Sequence, residues 1–294
     1  MKIIKKINIM GILFILPALI LFLLFTLYPL VTTIGISFFS WDGFEPEKIF
    51  VGFQNYTQVL HDEVFWLGVR NVVIFALSAF IIMNPVALIL AALVSTNIKG
   101  SKYFKIIYYL PVMLSGIVVG LIWKWLFNGD YGIINNVLHL IGIQGPDWLN
   151  DGNSAIAAIA IASVWQGIGC SFILFWAAIQ GIPLDYYESA DLDGASFLKK
   201  LWYITIPSIK SMMSVVIILT AVGAAGTYQI VASLTNGGPA GKTTVPIMYI
   251  YDMINKYGNY GYATAMSSVL GGILLIFSLL RLFAERRGEK ADGN

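Results

Sequence analysis

ESADLDGASFLKKLWYITIP, residues 188–207, is a polar and charged stretch set between two long apolar runs. Helix or not, a segment carrying Glu188, Asp191, Asp193, Lys199 and Lys200 cannot lie in hydrocarbon, so it is a water-facing loop between membrane spans. Its own pattern is orderly. Pro183 and Asp185 predict the start of a short helix, with an acidic first turn that complements the helix dipole. Ala190, Gly194 and Ala195 are small and lie near helical spacing, which lets another surface approach closely. Gly194 permits a sharp turn. A second helix over about 197–204 would put Lys199 and Lys200 on a wet face and Leu198, Leu201 and Trp202 on an apolar one. Pro207 is then expected to reset the chain before the next span.

The rest of the chain agrees with a membrane setting. It is 58% hydrophobic and 12% charged, with a mean hydropathy of +0.78. A soluble domain carries about a quarter charged residues. Apolar runs at about 10–33, 70–95, 106–127, 154–180, 209–233 and 263–284 predict an all-α polytopic membrane protein with six transmembrane helices. Basic residues set its orientation. With the N-terminus in the cytoplasm, Lys2, Lys5, Lys6, Lys99, Lys102, Lys105, Lys199, Lys200, Lys210, Arg281, Arg286, Arg287 and Lys290 lie inside. Lys48, Arg70, Lys124, Lys242 and Lys256 then lie outside or at the outer edge. Both termini and the 188–207 loop are therefore expected in the cytoplasm. The basic start and apolar run of the N-terminus are read as a retained first span, because the run is too long for a cleaved leader and no small-x-small site follows it.

The spans are also informative in what they lack. Every Asp and Glu falls in a loop or at a span end, whereas ion-coupled carriers need ionisable groups near the midplane. No G-x-x-x-x-G-K-[ST] loop is present, so the chain cannot bind a nucleotide through that device. A single cysteine, Cys170, and two distant histidines, His61 and His139, make no metal cluster. No His-His-Glu set or Ser–Lys pair lies in a span, which argues against an intramembrane enzyme. What the spans do hold is neutral and polar. Asn84-Pro85 interrupts the second. Ser163, Gln166, Gly167 and Cys170 share one face of the fourth. Thr227 and Tyr228 lie in the fifth. Together with Asn84 and Trp123 these residues are the expected solute pathway, a lining of neutral donors and acceptors beside aromatic faces that suits a polyhydroxylated ligand. The plainer alternative is helix–helix contact through small and hydrogen-bonding side chains, with tryptophans such as Trp123 anchoring at the interface.

Residues 188–207 resemble the EAA loop of permease subunits in ATP-driven, ABC-type importers. The resemblance is carried by Glu188, Ser189, Ala190, Asp193, Gly194, Ala195, Ile204 and Pro207, with Gly194 and Pro207 separated by the family's 13 positions. Ser189 stands where the family has Ala, Leu201 where Phe is usual, and Ile206 where Leu is usual. Beyond the loop, the chain resembles the carbohydrate-uptake branch, the maltose-type and multiple-sugar-type permeases. Ser37-Phe38, Gly52-Phe53-x-Asn55-Tyr56, Leu234-Thr235-x-Gly237-Gly238-Pro239 and Gly261-Tyr262-x-x-Ala265 are among the matching segments. The short outer loop 34–69 departs from permeases that carry a large insert there. The resemblance implies a multi-pass protein of the bacterial plasma membrane, paired with a second homologous permease, two ATPase subunits and an external solute-binding protein. ATP and Mg would be bound by the ATPases, and the chain itself would need no cofactor. It further implies import of a sugar or oligosaccharide by alternating access, with the loop at 184–207 taking the ATPase's push. The same architecture importing glycerol phosphate or another small polar solute, or a non-transport membrane scaffold subunit, is the alternative. Glycerol phosphate would call for cations facing the cavity, and only Lys124 is near.

Overall fold

The computed structural model describes residues 9–96 and 100–292, and side chains over 13–96 and 100–285. Lys2, Lys5, Lys6 and Lys99 of the charge argument lie outside the described residues, as do the side chains of Arg286, Arg287 and Lys290. Helix dominates. Among the described residues, four helical runs are long and apolar enough to cross a membrane unaided: Leu13–Ile36, Glu63–Ser95, Gly152–Gln180 and Tyr260–Glu285. Two bent pairs, Ser101–Met113 with Gly116–Leu126 and Phe197–Ser208 with Lys210–Ala225, bring the number to six if each is one span.

The third and fifth spans are not the straight helices that the apolar runs at 106–127 and 209–233 suggest. The third turns by 98° at Leu114–Ser115. Both residues are extended there, and the Ser115 hydroxyl caps the next helix by accepting from the Val118 N–H. The fifth is interrupted at Gly226–Thr227, between Lys210–Ala225 and Tyr228–Leu234. Hydropathy is blind to both interruptions because every residue around them is apolar or small.

Besides Pro17, which lies within the helix Ile9–Phe22, three prolines sit inside helical runs by one shared device. Each follows a π-turn by two residues: Leu23–Leu27 before Pro29, Ala79–Met83 before Pro85, and Leu201–Thr205 before Pro207. A proline ring collides with the carbonyl four residues back and offers that carbonyl no N–H. In all three places the preceding residue bonds five back instead, as Tyr28 to Leu23, Asn84 to Ala79 and Ile206 to Leu201. The wider turn gives the ring room. Pro207 therefore does not reset the chain. That happens two residues later at Ile209 (φ −108°, ψ 19°).

The chain divides into two compact units. The first comprises residues 1–62 and 250–271. In it, Phe39–Ser40 and Ile49–Phe50 pair as a short antiparallel ladder. Asn55, buried, donates to the carbonyls of Ser37 and Phe39, and Ser37 shares a 2.6 Å hydrogen bond with Tyr56. The helix starting at Tyr260 closes onto this loop. Gly261 packs so tightly that a Cβ would overlap the Phe39 carbonyl, and buried Tyr262 donates to the Asp62 carboxylate. The scattered motif residues Ser37, Asn55, Tyr56, Gly261 and Tyr262 thus form one clasp. Asp42 lies in the same unit, where the backbone N–H groups of Glu45 and Phe44 hold its carboxyl below the ordinary value.

The second unit comprises residues 63–249 and 272–294. Its axis is the helix Gly152–Gln180, started by Asp151, whose carboxylate accepts from the N–H groups of Asn153 and Ser154. Two clusters of buried side chains lie along it. One gathers Val72, Phe75, Val119, Ile159, Ala162, Ile230 and Val231. The other gathers Ala87, Leu88, Ala91, Phe172, Phe175, Leu201 and Val216. Alanine and glycine dominate the closest approaches, as expected where lipid gives no hydrophobic reward for helix contact and van der Waals fit decides. At Gly169 a side chain would meet the Tyr108 carbonyl.

Candidate functional site

A cavity of about 330 Å³ opens among the second, third, fourth and fifth spans of the second unit. Ser163, Gln166, Gly167 and Cys170 line it from the fourth span, with Thr220, Thr227 and Gln229 from the fifth and Met83 and Gly116 from the second and third. Among the described residues, no charged side chain lines it. The helical spacing that put four residues of the fourth span on one face therefore brings them to one wall. Gly167 has a structural reason to be glycine, since a Cβ would stand 2.6 Å from the Met83 sulfur.

Three residues expected along this path are not in its lining. Asn84 is buried behind it. Its side-chain oxygen accepts from Ser171 at 3.0 Å and its amide nitrogen donates to Thr220 at 3.3 Å, so it links the second, fourth and fifth spans. Trp123 stacks on Phe127 and meets Trp165 edge-on. Tyr228 packs beside the first core cluster. The fit of these side chains to helix contacts explains their place: each satisfies packing within the bundle rather than facing the cavity. Sequence reasoning did not single out Gln229, Thr220 or Gly116 as lining. The signal for Gln229 was its place beside Thr227 and Tyr228, a polar amide in a run with no other use for one.

Residues 184–208 form a helical elbow. Leu184–Leu192 is the first arm, with Pro183 before it and Asp185 in its first turn. At Gly194 the backbone is left-handed (φ +69°), a conformation that a Cβ disfavours. The N–H groups of Gly194 and Ala195 close the turn on the carbonyls of Asp191 and Ala190. The second arm runs from Phe197 to Ser208 and bends by 80° from the helix that follows. Two side-chain links hold the arms together: Tyr187 to Thr205 at 2.9 Å, and the Lys200–Asp191 ion pair. Leu201 anchors the elbow in the second core cluster. Glu188, Ser189, Asp193, Gly194 and Pro207 are exposed on it, while Ala190, Ala195 and Ile204 are half-buried. Leu192, at the tip of the first arm, is 90% exposed.

Residues 83–289, which contain the elbow and most of the cavity lining, match the family of binding-protein-dependent transport system inner membrane components. The chain belongs to that family. It is 33% identical to the probable ABC transporter permease protein YurN of Bacillus subtilis, over 95% of this chain and 96% of that one. The diacetylchitobiose uptake system permease protein NgcF of Streptomyces coelicolor is 31% identical, over 93% of this chain and 81% of its own. Among solved structures, a bacterial alginate ABC transporter in complex with an alginate pentasaccharide-bound periplasmic protein superposes with a TM-score of 0.78, at 23% identity, covering 95% of each chain. That likeness fixes the fold. The chain is an integral membrane permease subunit of an ABC importer, a transport subunit and not an enzyme.

Proposed function

We propose that the chain is one of two homologous permease subunits of an importer for a sugar or oligosaccharide, and that the cavity is its half of the pathway. The observation that carries the reading is the neutrality of the lining. Amide, hydroxyl and thiol groups can exchange hydrogen bonds with a polyhydroxylated solute, and they offer no cation to neutralise a phosphate. Glycerol phosphate, the competing solute, calls for a cation, and Lys124 is not among the lining residues. The chain's similarity to NgcF, a permease of a diacetylchitobiose uptake system, supports the same class. In this reading Ser163, Gln166, Gly167, Cys170 and Thr227 face the solute, whereas Asn84, Trp123 and Tyr228 shape the wall behind it.

The elbow at 184–207 would dock on a partner ATPase through Glu188, Ser189, Ala190, Asp193, Gly194, Ala195, Ile204 and Pro207. Two ATPases bind ATP and Mg, and a loaded solute-binding protein docks on the outside. ATP-driven closure of the ATPases tilts the elbows and turns the cavity outward, and hydrolysis returns it inward. Both termini lie in the cytoplasm of a bacterial cell in this arrangement.

Cys170 supplies the test. It is the chain's one cysteine, it lines the cavity, and it is exposed. In vesicles holding the complete importer, a hydrophilic thiol reagent should modify it, and transported sugar together with its binding protein should protect it. Protection by glycerol phosphate and not by any sugar would refute the solute assignment.

A further inference from the structure

The 98° turn in the third span leaves backbone groups without helical partners inside a membrane protein, where each unsatisfied group is costly. Two side chains attend to them, and their chemistry is opposite. Gln166, from the fourth span, donates its side-chain N–H to the Leu114 carbonyl at 2.8 Å. Gln229, from the fifth, accepts the Gly116 N–H on its side-chain oxygen at 3.2 Å. The roles are forced, because a carbonyl can only accept and a backbone N–H can only donate. Gly116 is small enough for this contact, as a Cβ there would stand 2.8 Å from Gln229. One turn further, a side chain at Gly120 would sit on the Ser233 hydroxyl. The short helices Gly116–Leu126 and Tyr228–Leu234 are therefore pressed together beyond two interruptions, one in each span.

We propose that Gln166 and Gln229 are positioning residues that clamp the interruption of the third span, the first as an obligatory donor and the second as an obligatory acceptor, and that this clamp sets the angle between the two halves of the span as the cavity changes sides. The proposal rests on the cavity reading above for its setting. It assigns Gln166 a backbone partner in addition to any solute it meets.

The donor–acceptor asymmetry makes it testable with two glutamates. An ionised glutamate accepts but cannot donate. Gln229→Glu keeps the bond to Gly116 at every pH. Gln166→Glu keeps the bond to Leu114 only while the new carboxyl is protonated. The native Cys170 is the reporter and the one other titratable group lining the cavity. Its labelling rate is measured in the complete importer, without nucleotide and trapped with ATP and vanadate. The ratio of the two rates is taken at each pH and compared between the two glutamate variants, so that an effect of added charge on the reporter thiol shows in both and loss of the bond in one. Loss of the bond with an orphaned carbonyl should shift the equilibrium between states by about ten-fold. The ratio should accordingly collapse toward one in Gln166→Glu as the pH rises through the carboxyl's titration, and return on acidification. Wild type and Gln229→Glu should keep it throughout, and Gln166→Leu should lack it at any pH. Two glutamate variants that behave alike, or a Gln166→Glu ratio independent of pH, would overturn the proposal. So would failure of both Gln166 variants to assemble while Gln229→Glu assembles, since Gln166 would then serve folding alone. No solute enters the assay, so a wrong solute assignment leaves its outcome untouched.

Discussion

Replacing Gly194 separates what the elbow costs to fold from what it does to a partner. The backbone there has φ +69°, and forcing an L-side chain into that region costs about 1–2 kcal/mol. Nothing lies within 4 Å of a Cβ built at the position, so within this chain alanine carries the backbone penalty and no steric one. Asparagine, which tolerates left-handed geometry, carries less. Gly194→Ala should therefore loosen the elbow by about 1–2 kcal/mol, five- to thirty-fold in the local equilibrium, against the Tyr187–Thr205 bond and the Lys200–Asp191 pair that brace it. Gly194→Asn should fall between alanine and wild type. Gly194→Trp carries the same backbone penalty, and where a partner surface closes on the position, overpacking that contact costs about 1–3 kcal/mol more. The assay is ATP hydrolysis stimulated by loaded binding protein in reconstituted vesicles, read beside co-purification of the ATPase. The expected order is wild type, Gly194→Asn, Gly194→Ala, then Gly194→Trp with stimulation lost. If tryptophan and alanine match in both measurements, no surface closes on Gly194 and the coupling role of the elbow fails.

Other expectations are briefer. A cysteine at Asn236, in a background with Cys170→Ser, should react with impermeant reagents from outside only, and labelling confined to the cytoplasmic side would reverse the topology. Gly169→Ala should lower thermal stability in detergent by about 1–3 kcal/mol, because the new methyl meets the Tyr108 carbonyl; an unchanged melting temperature would show that the helices separate freely there. Asp151→Ala should lower the melting temperature by removing the cap of the Gly152–Gln180 helix, and Asp151→Asn should restore most of it. Hydrogen bonds from Ser154, first its N–H and then its hydroxyl, hold the Asp151 carboxyl below its ordinary value of 3.8. The cap's contribution is accordingly complete above that value and lost only as the pH falls through the lower folded value. A melting temperature that declines already between pH 7 and pH 5 in wild type and not in Asp151→Asn would contradict this.

The membrane character of the chain and the place of the elbow could be read from the sequence because each rests on local chemistry. Glu188, Asp191, Asp193 and two lysines cannot enter hydrocarbon, and a glycine between two helical stretches is free to adopt φ +69°. The wall of the cavity was legible where one helix alone defines it, as with Ser163, Gln166, Gly167 and Cys170. It was not legible where it depends on a second helix. Nothing in the run Met113-Leu-Ser-Gly-Ile117 signals a right-angled turn, because the groups that sustain it, Gln166 and Gln229, are remote in sequence by 52 and 113 residues. Asn84 shows the same limit from the other side. Its polarity in an apolar span marked it for the solute pathway, whereas the positions of Ser171 and Thr220 make it a tie between helices.

The π-turns ahead of Pro29, Pro85 and Pro207 have a consequence in phase. Each residue of an α-helix advances about 100° around the axis, so a turn that takes in one residue more leaves everything beyond it rotated by that amount. In the second span the turn at Ala79–Met83 stands between two stretches that face different neighbours. Phe75 before it belongs to one core cluster, and Ala87, Leu88 and Ala91 after it belong to the other. Asn84 begins the second stretch, already pointing at Ser171 and Thr220. Were Pro85 replaced by a residue with an N–H, the helix would be free to close at the ordinary pitch, and Asn84 with the alanine face behind it would swing a quarter-turn away from its partners. The proline thus works as a ratchet tooth: it holds the span one notch ahead, and the polar tie across the bundle depends on that notch.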